Sequence, residues 1–308
     1  MGCPHLLQIM RQPMEWFPVF RLFPYFRTGP VLGKCKFIGR LDIGFSAGKQ
    51  DNNTVHKIVY NQKGYEGMNV RVYKDAETIG TAAATLFAAC VIEKPHCVLG
   101  MATGSSPIPT YKKMAELYRA GVVDYSGVTT YNLDEYVGLD HDHEQSYYYF
   151  MMDNLFQHIN VKKENIHVLS GVASDPDKEC SDYEKAIAAA GGIDLQVLGI
   201  GRNGHIAFNE PADSFPQATH IVDLTESTID ANKRFFASAD DVPRKALTTG
   251  IGSIMKARAI MLIATGADKA EAVKAMVKGP VTPQCPASIL QFHPNVTILV
   301  DEAAAALL

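Results

Sequence analysis

The sequence is poor in the features that most quickly assign a chain to a class. It contains one tryptophan and six cysteines, and no two cysteines stand in C-x-x-C spacing. Scattered cysteines of this kind favour a reduced, cytosolic setting over a disulfide framework. The chain also lacks any apolar run of about eighteen residues, the length that a membrane-spanning helix needs. The sequence therefore predicts no membrane segment and no membrane partner.

An overall excess of one charge is also missing, because the net charge is only −4 over 308 residues. This charge is unevenly divided: residues 1–67 have a net of +5 and residues 68–308 a net of −9. The net negative charge of residues 68–308 does not favour nucleic acid as a partner. We therefore expect a small-molecule ligand and no nucleic acid.

The first 67 residues show no reliable hydrophobic periodicity, although they contain an aromatic cluster between residues 16 and 26. Their acid-poor, arginine-bearing start resembles a transit peptide, but the serines expected of one are almost absent. An organelle address, an unstructured extension and an upstream start codon all stay open, and Met68 could begin the functional chain. We predict a disordered extension over residues 1–67 and one domain over residues 68–308.

From Met68 onward, strand patterns alternate with helix patterns. Short apolar runs predict strands near residues 69–73, 97–102, 128–132, 166–169, 195–200, 221–224, 260–264 and 296–300. Between most of these strands the spacing of apolar residues predicts helices, and one of them is an alanine-rich helix capped by Asp75. This alternation predicts an α/β fold with a doubly wound, largely parallel, Rossmann-like sheet and helices on both faces. Ligands in such folds bind beyond the carboxyl ends of the strands.

The most informative stretch is residues 199–211, which follows a buried strand. His205 and Glu210 stand five positions apart in it, as an acid/base pair at the mouth of a sheet would. Its glycines also satisfy G-x-G-x-x-G, and Asp223 lies where a ribose-binding acid would be expected in a dinucleotide site. The two prolines at 211 and 216 leave little room for the helix that such a site requires. An ordinary tight turn is the third possibility.

Two further loops follow predicted strands. The loop Thr103-Gly104-Ser105-Ser106-Pro107 opens a helix and favours an anion such as phosphate, although an ordinary serine-capped helix would look the same. It lacks the lysine of a P-loop. In Asn132-Leu133-Asp134-Glu135-Tyr136 a carboxylate pair follows a strand directly, so it is either a candidate general base or a pair of solvated acids. The polar loop His141-Asp142-His143-Glu144 has alternating metal-ligand types, but no third cluster supports a metal site.

Taken together, these three segments strongly resemble the glucosamine-6-phosphate deaminase family (glucosamine/galactosamine-6-phosphate isomerases). The resemblance covers residues 68–308, including Pro286-Ala287-Ser288, and leaves residues 1–67 unmatched. It implies that Asp134 moves a proton between sugar carbons 2 and 1. It also implies that His205 opens the sugar ring, with Glu210 and Asn203 supporting it. Many members carry aspartate in place of Asn203.

The resemblance further implies a phosphate site and a lid. The phosphate would be held by Thr103, Gly104, Ser105, Ser106, Arg234 and Lys269. Residues 213–244 match the family's mobile active-site lid. Regulated members place basic residues on the strand that here reads Thr219-His220-Ile221-Val222, so we expect no activation by N-acetylglucosamine 6-phosphate.

The implied reaction converts glucosamine 6-phosphate and water to fructose 6-phosphate and ammonia, without a metal or an organic cofactor. A related 6-phosphogluconolactonase is the alternative enzyme, and a sugar-phosphate sensor on the same scaffold is the non-catalytic alternative. A cytoplasmic location is expected, and a homo-oligomer is possible.

Overall fold

The computed structural model describes residues 57–59, 68–226, 229, 236, 238 and 242–308. Its strands are β1 (Lys57–Val59), β2 (Met68–Tyr73), β3 (Val98–Met101), β4 (Thr129–Asn132), β5 (Asp134–Tyr136), β6 (Ile166–His167), β7 (Leu195–Leu198), β8 (His220–Asp223), β9 (Lys245–Thr248), β10 (Ala259–Ala264) and β11 (Val296–Asp301). Its α-helices are α1 (Ala76–Glu93), α2 (Ile108–Arg119), α3 (Tyr147–Asn154), α4 (Pro176–Ala189), α5 (Ile251–Ile254) and α6 (Ala270–Lys278). Four 3₁₀ helices cover Phe156–His158, Lys163–Asn165, Ala267–Lys269 and Pro286–Phe292.

The main sheet has eight strands in the order β1-β2-β11-β10-β7-β3-β4-β6. All of its pairings are parallel except that of β1 with β2. Strands β3 and β7 are buried at every position and β10 at all but its first, as expected for a parallel sheet covered by helices. The predicted doubly wound, largely parallel sheet is confirmed. Strand β1 lies inside the range assigned to the N-terminal extension, so these three residues belong to the sheet.

A second, three-stranded antiparallel sheet has the order β5-β9-β8. The apolar run near residues 221–224 forms the predicted strand, but its predicted place in the parallel sheet is wrong, because it pairs antiparallel with β9. Neither β5 nor β9 was among the predicted strands. A single residue, Leu133, separates the end of β4 from the start of β5, so the chain passes from one sheet to the other at this residue.

Helix α1 shows how local signals and packing agree. The side chain of Asp75 accepts the N–H of Thr78 and caps the helix, as the sequence predicted. By length and composition alone this helix could cross a membrane, with a mean hydropathy of 1.3. Its buried residues form a stripe that includes Ile79, Phe87 and Val91 and belongs to the main hydrophobic core. Helix α1 is therefore a core helix of this fold.

Candidate active site

The strand order brings four loops to one edge of the main sheet. Strands β10, β7, β3 and β4 are consecutive neighbours and run parallel, so their carboxyl ends face the same way. The segments that follow them contain Lys269, residues 199–211, residues 103–106 and Asp134, respectively. All the predicted site residues that the structure describes thus follow adjacent strands at this edge. Arg234 lies outside the described residues.

The loop after β7 depends on glycine at two positions. The ring of His205 lies against Gly201, where an added Cβ would be 2.3 Å from the ring carbon Cε1. The N–H of Gly201 also donates to the carbonyl of His205 at 2.9 Å. Gly204 has φ +85°, and a Cβ there would meet Sγ of Cys285 at 2.6 Å. The loop can therefore fold tightly under the imidazole only because these two side chains are missing.

Three polar side chains of this loop lie together. Nδ1 of His205 is 3.1 Å from Oε1 of Glu210, which is ion-pair distance, although the two atoms are not aligned as a hydrogen bond. The amide of Asn203 donates to Oε2 of Glu210 at 2.5 Å, and its Oδ1 accepts the backbone N–H of His205 at 3.2 Å. Glu210 and Asn203 are thus in position to orient the imidazole.

Asp134 is buried, with 7% of its surface exposed. Burial raises its pKa to about 8, and the neighbouring charge of Glu135 contributes in the same direction. A carboxylate with a raised pKa is a stronger base near neutral pH than a solvated one. The interpretation of this segment as a pair of solvated acids is therefore wrong.

Glu135 has a different environment, which the sequence did not reveal. Its carboxylate accepts the backbone N–H groups of Tyr147 and Tyr148, at 2.9 and 3.0 Å, at the first turn of α3. It also accepts the N–H of Tyr136 at 2.8 Å. Burial raises the pKa of Glu135 to about 7, and these three hydrogen bonds oppose that rise. Glu135 therefore ties the helix α3 to the strand that carries Asp134.

Strand β9 connects Asp134 to the histidine loop. Thr248 pairs with Asp134 in the small sheet, and its hydroxyl accepts the N–H of Phe208 at 3.0 Å. The next residue, Thr249, donates its N–H to the carbonyl of Leu133 at 2.8 Å, and its own carbonyl accepts the side chain of Asn209 at 2.9 Å. Thr248 and Thr249, at the end of β9, thus bind both the chain next to Asp134 and the chain that follows His205.

An aromatic cluster extends from this anchor. The ring of Tyr136 is 4.7 Å from that of Tyr147, 6.0 Å from that of Phe208 and 6.1 Å from that of Phe236. Phe236 belongs to the predicted lid, residues 213–244, which the structure describes only in part. The described contact joins the lid segment to the residues that follow Asp134 and His205.

The predicted phosphate residues lie on two loops. Residues 103–106 connect β3 to α2 and are half-buried or exposed, and Gly104 has φ +94°. Lys269 ends a 3₁₀ helix after β10, and its side chain is 21% exposed. Burial lowers the pKa of Lys269. Both loops therefore present polar groups at the same edge of the sheet.

The structure does not support the dinucleotide alternative. No helix opens at Gly204, because the described residues 205–219 form turns and one isolated bridge between Ile206 and Asn209. The proposed ribose acid, Asp223, lies on the small sheet with its side chain 84% exposed and pairs with Lys245. Among the residues that the structure describes, no group of three histidine, cysteine or acidic side chains could hold a metal ion.

Comparison with known proteins shows similarity along most of the chain. Residues 74–299 match the sequence model of the glucosamine-6-phosphate isomerases/6-phosphogluconolactonase family. The glucosamine-6-phosphate deaminase of Thermoanaerobacter pseudethanolicus is 54% identical over 241 residues, which cover 78% of this chain and 95% of the relative. A solved monomeric glucosamine-6-phosphate deaminase superposes with a TM-score of 0.76 at 44% identity, over 78% of this chain and 99% of that one.

A more distant structure shares only the fold. The 6-phosphogluconolactonase from Trypanosoma brucei is 18% identical with a TM-score of 0.61, over 78% of this chain and 98% of that chain. This 6-phosphogluconolactonase, which represents the alternative enzyme, is therefore only a distant relative of the chain. On the match over most of its length and the close relatives, this chain belongs to the glucosamine-6-phosphate isomerase/6-phosphogluconolactonase family.

Proposed function

We propose that this chain is a glucosamine-6-phosphate deaminase, which converts glucosamine 6-phosphate and water into fructose 6-phosphate and ammonia. The observation that carries the proposal is the shared anchor on β9, where Thr248 contacts both Asp134 and the segment just after His205. A buried base and an imidazole supported by Glu210 are the two groups that this reaction needs. The family membership and the deaminase relatives support the same activity.

Ring opening is the first step, because the proton on carbon 2 becomes acidic only beside a free aldehyde. His205 takes the proton of the anomeric hydroxyl and delivers it to the ring oxygen, the bond between carbon 1 and the ring oxygen breaks, and an open-chain aldehyde forms. Imidazole suits this exchange because its ring nitrogens can both accept and donate a proton. Glu210 stabilises the imidazolium form, since its carboxylate lies 3.1 Å from Nδ1.

Isomerisation follows at carbons 1 and 2. Asp134 in its carboxylate form removes the proton from carbon 2 and returns it to carbon 1, while a second proton passes from the amino nitrogen to the oxygen on carbon 1, which leaves an imine at carbon 2. Its raised pKa makes it a base matched to this work near neutral pH. Water then adds to carbon 2 and ammonia leaves, so fructose 6-phosphate is the product.

Binding of the phosphate places the sugar for these steps. We assign this role to Thr103, Gly104, Ser105 and Ser106 on one side and to Lys269 on the other, with Arg234 contributing from the lid. Free backbone N–H groups at the start of a helix and a lysine both favour a phosphate dianion. A fixed phosphate would hold carbon 2 beside Asp134 and the ring oxygen beside His205.

Asn203 departs from the many family members that carry aspartate. Its amide donates to Glu210 and accepts from the His205 backbone, so it bridges the two groups without adding a charge. We propose that Glu210 alone supplies the negative charge for the imidazolium in this chain. We also propose a cytoplasmic enzyme without N-acetylglucosamine 6-phosphate activation.

The decisive experiment compares two substrates in one preparation of the full chain. We expect stoichiometric release of ammonia from glucosamine 6-phosphate and no accelerated hydrolysis of 6-phosphogluconolactone. Lactone hydrolysis without ammonia release would establish the alternative enzyme. Binding of the sugar phosphate without either turnover would establish the sensor.

A further inference from the structure

The strand order leaves a defined space between the two halves of the phosphate site. Strand β7 lies between β10, which leads to Lys269, and β3, which leads to residues 103–106. A phosphate that contacts both loops must therefore lie over the first residues after β7. Gly199 is half-buried there, and no atom of the described residues lies within 4 Å of a Cβ added to it. The described part of the chain therefore leaves the space above this glycine open.

Arg202 stands three residues after Gly199 in the same loop, and its side chain reaches across to the loop after β10. Its Nε donates to Oδ2 of Asp268 at 2.9 Å, and its side chain is 79% exposed. Among the residues that the structure describes, its two terminal nitrogens have no hydrogen-bond partner. The edge of the guanidinium that binds phosphate oxygens in pairs is thus available, while the inner nitrogen fixes its position.

Asp268 links two cations from different loops. It accepts from Arg202 after β7 and lies 3.8 Å from Nζ of Lys269 after β10. The hydrogen bond from Arg202 lowers the pKa of Asp268, so the carboxylate is ionised at neutral pH. Two cations share one anion, which leaves this rim with a net positive charge for a phosphate dianion.

We propose that Arg202 is a further phosphate-binding residue of this enzyme, with Asp268 as its positioning residue and with the phosphate lying over Gly199. The inference rests on the proposed function, because it assigns a residue to the same sugar-phosphate substrate. It makes Arg202 a determinant of specificity for phosphorylated over unphosphorylated amino sugars. Its paired N–H groups match two phosphate oxygens in a way that an ammonium does not.

The test uses Arg202→Met and Arg202→Lys in the full chain. We expect Arg202→Met to raise the KM for glucosamine 6-phosphate by about tenfold and to leave kcat within about twofold, because it removes charged hydrogen bonds from binding alone. Arg202→Lys should fall between Arg202→Met and the unaltered enzyme. Calorimetry with fructose 6-phosphate should show the same loss of affinity, independently of turnover.

Arg258→Met is the matched control. Arg258 donates to Asp194 at 2.9 Å and joins the amino ends of the same two strands, β7 and β10, at the opposite edge of the sheet. Its loss should leave KM and fructose 6-phosphate binding unchanged. A difference between the two arginine variants would therefore be specific to the carboxyl edge.

Gly199→Val is a steric probe of the same space. The open surroundings of Gly199 accept the new side chain, but the side chain would occupy the place assigned to the phosphate. We expect the KM for glucosamine 6-phosphate to rise at least tenfold.

Unchanged substrate affinity in Arg202→Met, or a fall in kcat at constant KM, would overturn the role of Arg202. Unchanged affinity in Gly199→Val would overturn the position of the phosphate. If the unaltered chain bound fructose 6-phosphate but released no ammonia, the proposed function would fail while calorimetry still tested Arg202.

Discussion

At the scale of single residues, turnover should depend on the carboxylate of Asp134. Asp134→Asn keeps the shape of the side chain but removes the base, so we expect kcat to fall by a factor of about 10³. Binding of fructose 6-phosphate, measured by calorimetry, should stay within threefold because the phosphate contacts are intact. Asp140→Asn changes an exposed acid of the following loop and should have no effect. Near-normal turnover in Asp134→Asn would remove Asp134 from its role.

Glu135 should raise the pH at which this base works, in addition to the effect of burial. Since Asp134 must be ionised to accept a proton, kcat/KM should rise with pH through about 8, the raised pKa of Asp134. The charge of Glu135 contributes to that rise, so Glu135→Gln should move the acid limb of the profile to lower pH. An acid limb that stays in place would show that burial alone raises the pKa of Asp134.

Asn203→Asp should lower the activity of this chain. The amide nitrogen of Asn203 is 2.5 Å from Oε2 of Glu210, and a carboxylate there would put two like charges in contact. The pair can share a proton at low pH but not at high pH. We expect kcat/KM relative to the unaltered enzyme to fall by about tenfold at pH 9 and to recover toward pH 6. A ratio that is constant with pH would contradict this account.

At the scale of elements, helix α3 supports the catalytic strand. Ser146 is buried, and its hydroxyl accepts the N–H of Tyr149 at 3.0 Å and caps the helix. Ser146→Ala should lower the free energy of unfolding by about 1 kcal/mol, measured by urea denaturation. Because Ser146 carries no charge, this variant should leave the pH profile in place. It is therefore the matched control for Glu135→Gln.

The elements that the sequence predicted are those with a local signal. The strands of continuous apolar residues and the helix capped by Asp75 were predicted correctly, because hydrophobic periodicity and helix capping depend on residues close together in the sequence. Strands β5 and β9 were missed because each is short and is defined by pairing across more than a hundred residues. The same limit applies to the site. The resemblance implied roles for Asp134 and His205, but the capping role of Glu135 and the anchor at Thr248 depend on contacts that no local pattern encodes.

At the scale of the whole molecule, strand β1 lies at the edge of the main sheet, away from the strands that lead to the site. Among the described residues β1 pairs with β2, and two further strands, β11 and β10, lie between β2 and β7. Every proposed site residue that the structure describes follows β3, β4, β7 or β10. Strand β1 is therefore separated by β2 and β11 from β10, the nearest strand that leads to a proposed site residue.

A chain that begins at Met68 should for this reason keep its activity. Loss of β1 exposes the edge of β2, whose polar residues Asn69 and Arg71 are already exposed and discourage pairing with another chain. We expect kcat/KM for glucosamine 6-phosphate within about twofold of the full chain, with a slightly lower midpoint of thermal unfolding, since one edge pairing is lost. Both chains should be compared in the same ammonia-release assay and by calorimetric unfolding. A tenfold loss of kcat/KM without a loss of thermal stability would mean that residues 1–67 act directly on the site.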